Sequence, residues 1–212
     1  MSEPDSGSDL AALRTKAERK GNIYLVNGTK LWTSGAHRCQ YMIALFRTSQ
    51  EEDRHGGFSQ FIVDLSLPGV TIRPIIDLAG RHHFNEVIFE DVEVPEDMLI
   101  GTEGNGWNQV TAELALERSG PERYLSSYML LQELVNEFSN KNDDEGVTEI
   151  GRQMSHLTTL RQMSVSVAGM LDQGENPALE ASVVKDLGAV FEQELNDAFN
   201  ESEKIESTAK EV

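Results

Sequence analysis

The sequence predicts two kinds of structure in one chain of mixed α and β class. An antiparallel β-barrel-like domain is expected over residues 1–102, and a partial α-helical bundle over residues 103–212. Three observations carry this. Short β-branched and aromatic runs, punctuated by Asn-Gly and Gly-Gly, fill the first half. From about Gly104 the apolar spacing becomes helical. Charge is also unevenly shared, with a net of −5 over residues 1–102 and −13 over residues 103–212.

The strands come first. "NIYLVNGTKLWTSG" holds two apolar runs, Ile23–Val26 and Lys30–Ser34, around Asn27-Gly28. Asn-Gly tolerates positive φ at both positions, so a hairpin is expected there. "CQYMIALFRT" is of strand length, and "TSQEEDRHGG" reads as a charged hairpin loop before the returning strand "FSQFIVDL". "GVTIRPI" and "FNEVIFEDVEVP" add two or three more. Strands at this spacing suggest an antiparallel sandwich or small barrel.

The helices follow. Val110, Leu114, Leu125, Tyr128, Leu131, Val135 and Phe138 can share a stripe, with Gly120-Pro121 breaking it in two. "SNKNDDEG" is a polar connector. Ile150, Met154, Leu157, Leu160 and Val167 mark another helix, ending near Gly174–Pro177. Val183, Leu187, Val190, Phe191 and Leu195 mark a last one, and the polar tail "NESEKIESTAKEV" is expected to fray. These helices carry more apolar stripe than they can bury among themselves, which points to further helices or to oligomerisation.

Composition excludes some functions. A net charge of −18 repels phosphate backbones, so nucleic acid is not an expected partner. Cys39 stands alone, so no intrachain disulfide forms, which suits a reducing compartment. No signal peptide and no run of about 18 apolar residues is visible, so a cytoplasmic protein without a membrane span is expected.

Three stretches invite chemistry. Six of the first ten residues, MSEPDSGSDL, are Ser, Asp or Gly, which is loop chemistry. His82-His83 suggests a metal, but neighbours on a strand point to opposite faces and cannot easily share one ion. "GTEGNG" resembles a phosphate loop but lacks the following Lys-Ser/Thr, so it reads as a strand-to-helix linker.

"SEPDSGSD", "NGTKLWTSGAH" and "FNEVIFEDVEVPEDMLIGTEGNGW" occur in this order and at this spacing. Together they resemble the acyl-CoA dehydrogenase family, well over residues 1–138 and loosely over 148–200. The resemblance implies three parts: a helical domain, a central β-barrel-like domain and a four-helix bundle. The chain is then expected to begin at the junction into the second part and to end inside the third. It implies FAD, an acyl-CoA substrate, an electron-transfer flavoprotein as acceptor, and a homo- or hetero-oligomer.

It also implies site residues. Ser2, Gly7, Ser8, Trp32, Thr33 and Ser34 would meet the flavin. Gly7 lets backbone approach closely, and Ser8 offers a hydroxyl and an amide, to cofactor and substrate alike. Trp32 would lie against the ring, Ser34 at its polar edge and Ser2 near its pyrimidine side. The reaction removes an α proton to a Glu while hydride leaves the β carbon, and such a base needs an apolar setting that raises its pKa. The family places this Glu either beyond Val212 or on the first helix after the β domain, before an Arg. "ALERSG" puts Glu117 and Arg118 there; Glu117 would be the base, and Arg118 would hold the CoA portion. No metal is implied.

The family's Arg-x-x-Phe-Gly motif is missing from "NEFSNKNDDEGVTEIGRQM", so flavin affinity or assembly is expected to follow a variant pattern. Three alternatives stand beside the dehydrogenase. One is a non-catalytic subunit of a mixed oligomer. Another is a flavin monooxygenase on the same scaffold. The last is a β-barrel binding domain with a helical oligomerisation arm.

Overall fold

The structure, a computed structural model, describes residues 1–139 and 144–210. It divides into two compact units, Met1–Val110 and Thr111–Val212.

Seven strands build the first unit: β1 Lys16–Lys20, β2 Ile23–Ser34, β3 Tyr41–Arg47, β4 Phe58–Asp64, β5 Val70–Ile76, β6 His82–Pro95 and β7 Leu99–Ile100. They form one sheet in the order β5-β6-β2-β1-β3-β4-β7. The expected β domain followed by helices is present, with two corrections. The sheet is mixed, because β1 meets β3 in parallel at Lys16 and Arg47. It is also open, because the edge strands β5 and β7 do not pair. β7 is two residues long and bonds only to β4, through Gln60↔Ile100 and Phe61↔Leu99.

Alternation along the strands sends Val26, Phe46, Phe61, Val63, Phe89 and Val92 into one core. Phe61 is central to it, edge-on to Tyr24 at 4.8 Å between centroids and 5.7 Å from Phe46. Tyr24 carries its hydroxyl to Glu103, 2.7 Å away, which ties the linker after β7 to the sheet. Burial first, then the Glu103 carboxylate, pushes the Tyr24 phenol up to about 12.

Asn27-Gly28 is not a hairpin. β2 runs straight through it, and the β1–β2 turn is Gly21-Asn22, between the paired Lys20 and Ile23. Gly21 has φ 67 while Asn22 is not left-handed, the pattern that places Gly first in a two-residue turn. Asn27 and Gly28 are used across the sheet instead. β6 carries an extra residue between Phe89 and Val92, and Asp91 there has φ 49. The Asn27 side chain closes this bulge by donating to Asp91 Oδ1 and accepting from the Asp91 amide, both at 2.9 Å. Gly28, at φ 145, lies so close to Thr15 that a Cβ would meet its Oγ1 at 2.5 Å. Asn27→Ala is expected to cost about 1 kcal/mol in urea unfolding, since the bonds are exposed but hold a bulge.

Among the described residues, five α-helices follow: α1 Gly106–Arg118, α2 Glu122–Leu125, α3 Tyr128–Ser139, α4 Asp144–Asp172 and α5 Ala178–Lys210. Gly120-Pro121 ends α1 as expected. Residues 140–143 of the expected connector lie outside the described residues, and Asp144 already belongs to α4. The helical run of the tail continues through Lys210, and residues 211–212 also lie outside the described residues.

The expected stripes divide. Leu131, Phe138, Leu160, Phe191 and Leu195 are buried together with Leu134. Leu125, Met154, Val183, Leu187 and Val190 are exposed. Between α4 and α5 a groove of about 640 Å³ is lined by Met163, Met170, Leu179 and Val183 among others. Among the described residues, no helix is long and apolar enough to cross a membrane.

Candidate functional site

The end of β2 is where the sheet departs from regular pairing. From Lys30 to Thr33 it advances three residues while β6 advances two, from Val87 to Asn85. The extra residue forms a bulge, and Trp32 sits in it at φ 60. A bulky residue rarely takes a left-handed φ, and strain of this kind gathers at functional sites. The bulge turns the indole outward, leaving Trp32 57% exposed, supported edge-on by Phe84 at 5.9 Å. Ser34 is also exposed. Asn85 is fully buried and donates to the Thr33 carbonyl at 3.0 Å. The Thr33 hydroxyl is buried with no hydrogen-bond partner among the described residues. An orphaned hydroxyl is costly, so it marks a place where a donor or acceptor is missing.

The opening loop is anchored to the same strand. Leu31, next to Trp32, donates its amide to the Ser2 carbonyl at 2.8 Å. Glu3 and Ser6 exchange backbone bonds of 2.8 and 3.2 Å, closing the loop on itself. Arg54 pairs with Asp9 at its far end. Between these anchors Gly7 and Ser8 make no hydrogen bond among the described residues, and nothing described lies within 4 Å of where a Gly7 Cβ would stand. Successive free amides in a turn attract anions.

Beneath the loop lies a buried ion pair that the sequence reading missed. Lys30 is fully buried and Glu3 is 8% exposed, and Lys30 Nζ lies 2.7 Å from Glu3 Oε1. Oε1 also accepts the Thr15 amide at 3.0 Å, and Oε2 accepts the Arg14 amide at 2.6 Å. Burial pushes the Glu3 carboxyl up, but Lys30 and the bonds from Arg14 and Thr15 outweigh it, leaving it below the usual carboxylate value. Burial pushes the Lys30 ammonium down, against the opposing pull of Glu3. The Glu3 contribution to stability is therefore complete above its ordinary value of 4.5 and is lost as pH falls through the lower folded value. In urea titrations the excess stability of the wild type over Glu3→Gln should be largest near neutrality and shrink below pH 4.5.

Glu117 and Arg118 belong to the second unit. The Glu117 side chain is 59% exposed and faces Arg123 at 3.8 Å, and Leu116 beside it is exposed. Arg118 donates to Ser182 on α5 at 3.2 Å. His82 stacks on His37 at 3.8 Å and shares a bond with Asn85, while His83 packs on Phe84. Among the described residues no group of three or more His, Cys, Asp or Glu could hold a metal.

Residues 1–92 match the family model described as acyl-CoA dehydrogenase, middle domain. Over these residues the chain is similar to the middle domain of the acyl-CoA dehydrogenase family. Acyl-CoA dehydrogenase FadE34 of Mycobacterium tuberculosis is 33% identical over 196 residues, covering 92% of this chain and 28% of that protein. Acyl-CoA dehydrogenase IpdE1 of Mycolicibacterium smegmatis is 32% identical over 211 residues, covering 92% of this chain and 53% of that protein. Among solved structures, the ChsE4-ChsE5 complex from Mycobacterium tuberculosis aligns with a TM-score of 0.77 at 30% identity, over 95% of this chain and 54% of that one. The chain thus spans from about a quarter to about half of the relatives it matches.

Acyl-CoA dehydrogenases are flavoproteins and oxidoreductases. The first unit fits a flavin. It offers an exposed aromatic face at Trp32, an unpartnered hydroxyl at Thr33, and free amides at Gly7 and Ser8.

Proposed function

We propose that this chain is part of an FAD-dependent dehydrogenase acting on an acyl-CoA thioester. The observation that carries the proposal is the Trp32 bulge, with its strained, outward indole beside the orphaned Thr33 hydroxyl, inside the middle-domain match.

When bound, FAD supplies the hydride acceptor. The chain supplies the rest. Amides of Gly7 and Ser8 would hold the phosphate-bearing part of FAD, and Gly7 would permit close approach. Trp32 would lie against the ring and exclude water there. Thr33 and Ser34 would offer hydroxyls to the ring, and Ser2 would border it. Glu117 takes the α proton onto a carboxylate oxygen, Arg118 meets the CoA portion, and Ser8 also meets the substrate. An electron-transfer flavoprotein would be the acceptor. The exposed Val183, Leu187 and Val190 of α5 support a homo- or hetero-oligomer, and the acidic surface with one cysteine suits the cytoplasm.

The test is flavin bleaching. The FAD-loaded protein, mixed anaerobically with a series of fatty acyl-CoA thioesters, should lose its visible flavin absorbance. Absorbance unchanged by every thioester would contradict the reaction and favour the monooxygenase. A second reading, a non-catalytic subunit of a mixed oligomer, is supported by the exposure of Glu117 and by relatives solved as the ChsE4-ChsE5 complex. Bleaching that appears only after a second family chain is added would select it.

A further inference from the structure

We propose that the buried Lys30–Glu3 pair is a positioning clamp, which fixes the opening loop against the Trp32 bulge and so sets the flavin-binding geometry. The second half of this inference rests on the flavin reading above; the first half, ordering of the loop, does not.

The placement of the pair argues for this role. A buried ion pair adds little stability over well-packed apolar residues of similar volume, so its presence in a core calls for another account. Lys30 lies on the inner face of β2, in the parity of the buried Tyr24 and Val26. Its Nζ rests 5.5 Å from the Phe46 ring centroid and also reaches the Met1 carbonyl at 3.3 Å. The Glu3 carboxylate gathers three donors from two further segments: the Arg14 and Thr15 amides before β1, and the Lys30 ammonium on β2.

One residue to either side of the pair, the Leu31 amide meets the Ser2 carbonyl. All these ties hold the base of the loop, and none reaches its tip, Gly7-Ser8. The next residues along β2 after Leu31 are Trp32, Thr33 and Ser34. The clamp therefore lies where the loop is fixed to the strand that carries the exposed indole. A tip left free to meet a ligand is aimed by the base that holds it. Lys30 and Glu3 touch no ligand in this account and act through the loop.

The test uses the full chain as wild type, Lys30→Met, and the uncharged Glu3→Gln/Lys30→Met pair. Glu3→Asp is included as a milder variant that keeps the charge but shortens its reach. Two readouts are taken: amide hydrogen exchange resolved to segments, and FAD affinity with the flavin absorption spectrum. The clamp predicts at least tenfold faster exchange over residues 1–15 in the double variant, with β3 and β4 unchanged. It also predicts at least tenfold weaker FAD binding and a displaced flavin band, with Glu3→Asp intermediate.

Wild-type exchange over residues 1–15 in the double variant would overturn the clamp. A loosened loop with unchanged FAD affinity and spectrum would overturn its role toward the flavin. If the double variant fails to fold, Glu3→Asp decides by the same readouts. If the wild type takes up no FAD, the flavin reading falls with it, while the exchange comparison still decides whether the pair orders the loop.

Discussion

Phe61→Ala is expected to destabilise the first unit by about 3–5 kcal/mol, the cost of losing a large buried aromatic and leaving a cavity. Phe61 is fully buried and is the shared neighbour of Tyr24 and Phe46. Its loss removes packing from β2 and β3 at once, and the rings around it sit on strands that cannot collapse inward without breaking their ladders. Single domains have only about 5–15 kcal/mol of stability in total, so the variant should unfold at far lower urea. Ile62 is the internal control. It is the next residue on β4, it is 39% exposed, and Ile62→Ala should change stability much less. Equal effects at the two positions would contradict the face assignment of β4.

The second large effect concerns chemistry. If Glu117 is the base, Glu117→Gln should lower kcat by about 10²–10⁴-fold, the range spanned by positioned general bases. The amide keeps the shape of the side chain but cannot accept the α proton. Flavin content should be unchanged, because Glu117 lies outside the residues assigned to the cofactor. The Arg123 contact costs little to remove, since an exposed pair is worth about 0–1 kcal/mol. Full turnover in Glu117→Gln, measured with an artificial electron acceptor, would move the base elsewhere.

The strands at 41–47, 58–64 and 70–76 were legible because β-branched and aromatic residues sit between Gly- and Asp-rich loops. Asn27-Gly28 misled because a turn signal is local, whereas its use here is long-range. The Asn27 side chain caps a bulge at Asp91, and Gly28 makes room for Thr15. The open sheet could not be read either, because strand order depends on pairings distant in sequence.

At the candidate site, Trp32 and its neighbours were found through the motif. The bulge that turns the indole outward was not, since it depends on the register against β6. Lys30 and Glu3 were missed although a signal existed. Alternation from Tyr24 and Val26 puts Lys30 inside, and a lysine inside requires an acid. Glu117 remained ambiguous, because a helical carboxylate is written the same way whether it faces solvent or substrate.

The Trp32 bulge and the opening loop are proposed to form a flavin site. FAD titration followed by tryptophan fluorescence tests it most directly, in a Trp107→Phe background that leaves Trp32 as the sole reporter. Saturable quenching of Trp32 is expected together with a bound flavin spectrum, and at least tenfold weaker binding to Trp32→Ala read from that spectrum. No quenching and no bound flavin, or equal affinity in Trp32→Ala, would contradict it.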